Sequence, residues 1–230
     1  MFVPLALAAD PVAPPVTMAV VPAARRVGVG VPVDVAVVLD VPDGWHIYWE
    51  NPGQSGLATD VRLTTTAAVS GPALPAPTRF VTDGLTSYGY HGPTGFLFTV
   101  TPEEPGKVEL TSTATWLLCR DICVRGEGTA KATLNVVKRA ATQPSPYRAH
   151  IPAPFPGTFT LGTSLNARLP GPGPFDVFPS VALEGVWSPT WREDAGALVL
   201  DATFSGPLPP GAHLVVTRGP DAFTLTLTEP

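Results

Sequence analysis

Apolar and polar residues alternate in short runs along most of the chain. Residues 31–39 put Val31, Val33, Val35, Val37 and Leu39 at every second position, the period of a strand with one face in a core. Pro32 lies near the start of that run, where a strand tolerates a missing donor. Residues 45–49 predict a second strand, ended by the turn signal Asn51-Pro52-Gly53. Residues 58–65 and 95–100 predict a third and a fourth. Residues 107–116 supply the fourth strand's hairpin partner and lead directly into the chain's two cysteines, and residues 129–137 alternate again and close the unit. Residues 140–156 are Pro-rich and read as a linker. Beyond them, strands are predicted over 158–161, 181–183, 197–200, 214–216 and 223–227. Short strands at this spacing, broken by Pro and Gly, predict an all-β chain with a β-sandwich in each half. The predicted division is 1–14 as a residual leader, 15–139 and 157–230 as two β-rich domains, and 140–156 between them. No repeat relates the halves, and the one helical feature expected is a turn around Cys119 to Cys123.

Composition supports that reading. The chain has 230 residues, 44% of them hydrophobic, enough to bury a sizeable core. Its 29 prolines and 22 glycines disfavour long helices. Charged residues are only 14%, with a net charge of −5, which argues against a nucleic-acid surface. No apolar run reaches the roughly 20 residues of a membrane span. Residues 1–10 resemble the tail of a signal peptide, with a short apolar run and an Ala-Leu-Ala end but no basic region; a frayed terminus is the alternative. The signal reading places the protein in a periplasmic or otherwise exported, oxidising compartment.

The two cysteines, Cys119 and Cys123, are spent at one place, four positions apart. Three chemistries fit: a redox couple, a passive bridge or a metal clip. A bridge closing so short a loop contributes only about 2 kcal/mol by chain entropy. A strained or exposed bridge is the exchangeable kind. A metal site needs two further ligands, and His46, His91, His150 and His213 are scattered. Arg120 favours a thiolate at Cys119 and Asp121 opposes it, so the neighbours nearly cancel.

Four stretches, in order, carry a family resemblance. They are Gly44-Trp45-His46-Ile47-Tyr48-Trp49-Glu50-Asn51-Pro52-Gly53-Gln54-Ser55-Gly56, Leu74-Pro75-Ala76-Pro77-Thr78-Arg79-Phe80, Ser87-Tyr88-Gly89-Tyr90-His91-Gly92, and Trp116-Leu117-Leu118-Cys119-Arg120-Asp121-Ile122-Cys123-Val124-Arg125-Gly126. Over about residues 15–138 the chain resembles the N-terminal periplasmic domain of the DsbD-type thiol:disulfide interchange proteins, closest to the ScsB-like branch. The likeness extends more loosely to residues 175–179.

The resemblance implies an immunoglobulin-like β-sandwich with a redox-active cysteine pair at one end and no bound cofactor. It implies a membrane-embedded electron donor, and thioredoxin-fold or peroxidase acceptors. Carried over, Cys123 forms the mixed disulfide and Cys119 resolves it. A cap loop over the pair corresponds to residues 81–87, including Thr82, Asp83, Gly84 as hinge and Leu85 as apolar lid. Tyr88 and Tyr90 flank that loop and are expected to pack under it. Trp45, Tyr48 and Trp49 are expected either to shield the pair or to fill the core. His46 reads as an outward strand residue, with tuning of a thiol as the alternative. Asp83 and Glu50 read as surface charge, and Asn51-Pro52-Gly53 as a plain turn. Full-length relatives continue into a membrane domain, which this sequence does not contain. Two other functions compete: a protein-binding scaffold with an inert bridge, and Cu(I) capture by the reduced pair. The second half offers no chemistry and reads as a spacer or docking sandwich.

Overall fold

The computed structural model describes residues 13–82, 84–161, 164–181, 187–204 and 207–227. The signal-like segment 1–10, Asp83 of the expected cap and most of the strand expected at 181–183 lie outside the described residues. The first half contains β1 (Thr17–Pro22), β2 (Arg26–Gly28), β3 (Val33–Val41), β4 (Ile47–Gly53), β5 (Asp60–Thr64), β6 (Ala68–Ala73), β7 (Thr78–Thr82), β8 (Leu85–Tyr90), β9 (Gly92–Thr101), β10 (Gly106–Cys119) and β11 (Cys123–Val137). The second contains β12 (Ala153–Pro154), β13 (Thr158–Leu161), β14 (Ser164–Pro170), β15 (Phe175–Pro179), β16 (Trp187–Asp194), β17 (Ala197–Phe204), β18 (His213–Arg218) and β19 (Asp221–Thr226).

Two sheets, ordered β1-β3-β9-β6 and β2-β11-β10-β5, form an immunoglobulin-like sandwich. Its core takes Val33, Val35, Val37, Leu39 and Val41 from β3, Phe96 and Phe98 from β9, and Leu110, Ala114, Trp116 and Leu118 from β10. These are alternate positions, as the pleat requires. A third sheet, β4-β8-β7, closes one side. In the second half, sheets β12-β19-β18-β15 and β13-β14-β17-β16 enclose a separate cluster that includes Leu169, Leu200, Leu214 and Leu225.

Segment 140–156, read as a linker, is packed. Its 3-10 turn, Pro146–His150, lies on the outer face of the first sandwich, where Tyr147 and Ile151 pack against Ala36, Val38 and Leu97. The cause is in β3: its outward positions Ala36 and Val38 are also apolar, so both faces need cover. The carboxylate of Asp34 fastens the segment by accepting hydrogen bonds from Arg148 and from the Ser145 backbone N–H. The halves also share core packing. Phe178 and Val215 of the second half belong to the first half's core cluster.

Candidate functional site

β10 and β11 form one long antiparallel hairpin whose register runs unbroken from Gly106↔Val136 to Cys119↔Cys123. The cysteines are therefore paired residues at its end, joined as a disulfide with a Cα–Cα distance of 4.2 Å. That spacing is close to the roughly 4.5 Å of the narrow pairs in antiparallel ladders. The expected helical turn is absent at this point. The strand alternation of β10 carries through to Cys119, and Arg120, Asp121 and Ile122 make the loop, with the Arg120 N–H donating to the Ile122 carbonyl at 3.0 Å. The two positions differ in access: Cys119 is 2% exposed, whereas Cys123 is open to solvent.

His46 holds the buried cysteine from the side. Its N–H donates to the Cys119 carbonyl at 2.9 Å, and the Cys119 N–H donates back to the His46 carbonyl at 3.0 Å. Position 46 is buried, contrary to the outward placement expected. Along this segment Trp45, Ile47 and Trp49 enter the sandwich core, while His46 and Tyr48 take the opposite face. The His46 ring stacks on Phe80 at 4.6 Å between centroids and meets Tyr48 edge-on at 5.1 Å. Burial pushes the His46 pKa down, which favours the neutral ring. Burial likewise pushes the Tyr48 hydroxyl up. Arg120 lies over the Trp45 ring at 5.0 Å and pairs with Asp121 at 2.8 Å, so the opposed charges beside Cys119 are joined to each other.

The other expected site residues separate. Trp49 meets Tyr88, Phe178 and His213 edge-on, at the junction of the halves. Tyr90 is in the core, edge-on to Phe96, with its hydroxyl donating to the Pro75 carbonyl at 3.1 Å. Tyr88 sits beneath Arg79 and against Phe178, not under a cap. Thr82 and Leu85 pair at the tip of the β7–β8 hairpin, where Gly84 takes the left-handed φ of +81° and Leu85 is 46% exposed. β8 pairs Tyr90 with Ile47 and Ser87 with Gly53, so the tip lies at the end of the ladder away from His46. The aromatic residue aligned with the cysteine region is Phe80 on β7. It belongs to the 74–80 stretch, and the Asp83-Gly84 dipeptide between two short runs is the hairpin signal that would have revealed its strand.

Glu50 and Asn51 also have partners. Glu50 pairs with His213 at 3.1 Å. Asn51 is buried; its side chain accepts from the Gly53 N–H and donates to the Pro179 carbonyl at 2.7 Å. It is an interface contact as well as a turn residue. A cleft of about 470 Å³, lined by Leu57, Ala58, Thr115, Trp116, Arg125, Gly126 and Glu127, runs along the same hairpin, beginning two pairs from the disulfide. A larger cleft, about 640 Å³, lies at the Thr66 and Pro102–Val108 loops and contains neither cysteine. Among the described residues no three His, Cys, Asp or Glu side chains converge as a metal site would require, and no helix is long and apolar enough to cross a membrane.

No curated protein matches the chain. Among solved structures, the N-terminal periplasmic domain of ScsB from Proteus mirabilis aligns over 87% of this chain and 89% of its own, at 17% identity and a TM-score of 0.59, a likeness of fold. InvD of Yersinia pseudotuberculosis aligns over 93% of this chain and 57% of its own, at 11% identity and a TM-score of 0.21, too low to indicate a shared fold. The family model for the N-terminal region of the thiol:disulfide interchange protein DsbD matches residues 17–135, from the start of β1 to near the end of β11, with both cysteines. The chain thus belongs to the DsbD N-terminal domain family.

Proposed function

We propose that this protein is an extracytoplasmic thiol:disulfide interchange module, in which Cys119 and Cys123 cycle between dithiol and disulfide. The observation that carries the reading is the asymmetry of the pair: one sulfur position is exposed at a hairpin end, and its partner is buried against His46. Exchange requires access to one sulfur, and burial of the other directs attack to the exposed one. In the reduced protein, the Cys123 thiolate attacks a partner disulfide and releases one partner sulfur as a thiolate. Cys119, as its thiolate, then attacks the Cys123 sulfur, re-forms the intramolecular bridge and releases the second partner sulfur. Two electrons, with two protons overall, pass to the partner, and no cofactor takes part.

Ile122 and Val124, 37% and 38% exposed, flank Cys123 and offer apolar contact to a docking protein. The reading takes residues 15–139 as the exchanging domain and 157–230 as a second β domain, joined by the packed segment 140–156. Its donor is a membrane-embedded electron carrier and its acceptors are thioredoxin-fold proteins or peroxidases. The exposed position also suits Cys123 as the exchanging residue and Cys119 as the resolving one.

Redox titration against glutathione tests the reading, with a potential in the catalytic range expected. A value well below about −300 mV, that of an inert structural bridge, overturns it. The Cys119→Ser variant is expected to accumulate mixed disulfides with a thioredoxin-fold acceptor, and the Cys123→Ser variant to form none.

A further inference from the structure

Arg79 and Phe80 are consecutive on β7 and so project to opposite faces. Phe80 lies on His46, whose backbone is bonded both ways to Cys119. Its ring also meets His91 edge-on at 6.1 Å. Arg79 faces the second half. Its Nε donates to both carboxylate oxygens of Asp176, at 3.2 and 3.0 Å, and Nη2 donates to Asp176 Oδ1 and, at 3.2 Å, to the Val177 carbonyl. The guanidinium also lies over the rings of Tyr88 and Phe178, at 5.1 and 5.4 Å. The fork is half-buried at both ends, and planar two-pronged pairing of this kind fixes orientation as well as distance.

Among the described residues β7 is the edge strand of its sheet, with β8 as its ladder neighbour. It is further held by β15 of the second half, which presents Asp176 and the Val177 carbonyl to Arg79. The same strand accepts from Asn51, at the end of β4, through the Pro179 carbonyl. β15 thus braces β7, whose Phe80 stacks on His46, and β4, which continues the chain from His46. We propose that the Asp176–Arg79 fork makes the second half a clamp on β7, so that contact between the halves sets how readily the buried Cys119 is reached. Arg79 and Asp176 are positioning residues; neither touches sulfur. The proposal rests on exchange at this disulfide and gives the second half a role in it. Because the fork does not contact the sulfurs, it restrains the oxidised and reduced protein alike. It therefore governs access to Cys119 and leaves the potential unchanged.

The test is the rate at which iodoacetamide modifies Cys119 in the reduced full chain, read by peptide mapping. Asp176→Asn keeps the shape and removes the charge; it is expected to raise the rate about tenfold, as loss of a charge-assisted pair from the closed state would. Asp176→Glu is expected to restore most of the restraint, and the glutathione potential should match the parent in both variants. Amides of residues 78–82 should exchange faster with deuterium in Asp176→Asn. Phe80→Ala should be labelled at Cys119 as fast as Asp176→Asn, and the double variant no faster than either, since both changes act on one cover. A parent-like rate in Asp176→Asn, or effects that multiply in the double variant, overturns the clamp. Should Asp176→Asn fail to fold, a parent-like rate in Phe80→Ala still overturns it. Alkylation needs no physiological partner, so loss of the interchange reading, seen as an inert potential or absent mixed disulfides, is a separate outcome.

Discussion

Gly89 of β8 lies so close to Ile47 of β4 that a Cβ at position 89 would meet the Ile47 carbonyl oxygen at 2.0 Å. Backbone cannot yield there without parting the β4–β8 ladder, which runs through Ile47↔Tyr90 and Tyr48↔Gly89. The middle residue of the Tyr88-Gly89-Tyr90 motif is thereby explained by close approach. Gly89→Ala is expected to destabilise the protein by about 2–4 kcal/mol, in the upper range of single substitutions. Urea unfolding measures this, and parent-like stability would show that the ladder can part at little cost.

The difference in access between Cys119 and Cys123 makes a chemical prediction. After reduction, iodoacetamide is expected to modify Cys123 at least about tenfold faster than Cys119, because buried thiols are inert. Peptide mapping after partial labelling reads the ratio directly. Equal labelling would mean that the exchanging sulfur is not set by burial.

Two histidines give opposing pH dependences. His213 donates to Glu50, and that hydrogen bond raises its pKa. Its contribution is complete below the unfolded value of about 6.5 and is lost as pH rises through the raised folded value. His46 is shifted down by burial, so the unfolded chain binds the proton first and stability falls as pH drops below about 6.5. In the parent the two trends offset each other. His213→Gln should remove the first, worth up to about 1 kcal/mol, and leave a chain that loses stability from about pH 7 towards pH 5. Urea midpoints across that range test it; a variant curve parallel to the parent's removes the Glu50–His213 pair as a contributor.

Asp34 is a buried carboxylate held below the usual range chiefly by its hydrogen bond from Arg148, with the Ser145 N–H adding to it. Asp34→Ala strands the Ser145 N–H, while Arg148, half exposed, returns to water. The expected cost is about 1–3 kcal/mol. Residues 145–151 should then become more open to proteolysis, since this carboxylate fastens them to β3. In the parent, the Asp34 contribution should fade as pH falls through its depressed pKa. An unchanged cleavage pattern in the variant would show that Tyr147 and Ile151 hold the segment alone.

Much of the sandwich is readable locally. The period-two valines of 31–39 and the alternations at 107–116 and 129–137 fall within or beside β3, β10 and β11, because a strand with one buried face writes its pleat into the sequence. β7, β8 and β15 escape that reading. Arg79, Phe80 and Asp176 meet other elements rather than solvent or the core, while Thr78, Val81 and Thr82 are exposed, so these strands follow no simple period. Segment 140–156 misleads for a related reason: its prolines mark irregular backbone, which is as compatible with packing on β3 as with a free tether.

The chain's local chemistry determined by itself that sulfur chemistry, if present, sits at one place, since both cysteines are four positions apart. It also determined a β-rich fold with turns at Gly and Pro. Only the tertiary structure decided that Cys119 is buried while Cys123 is open, that Phe80 and not Leu85 faces His46, and that Asp176 grips Arg79 from 97 positions away. Neighbours along the chain interact through backbone geometry that residue type predicts. Partners brought together by sheet register and the docking of two sandwiches leave no such local mark.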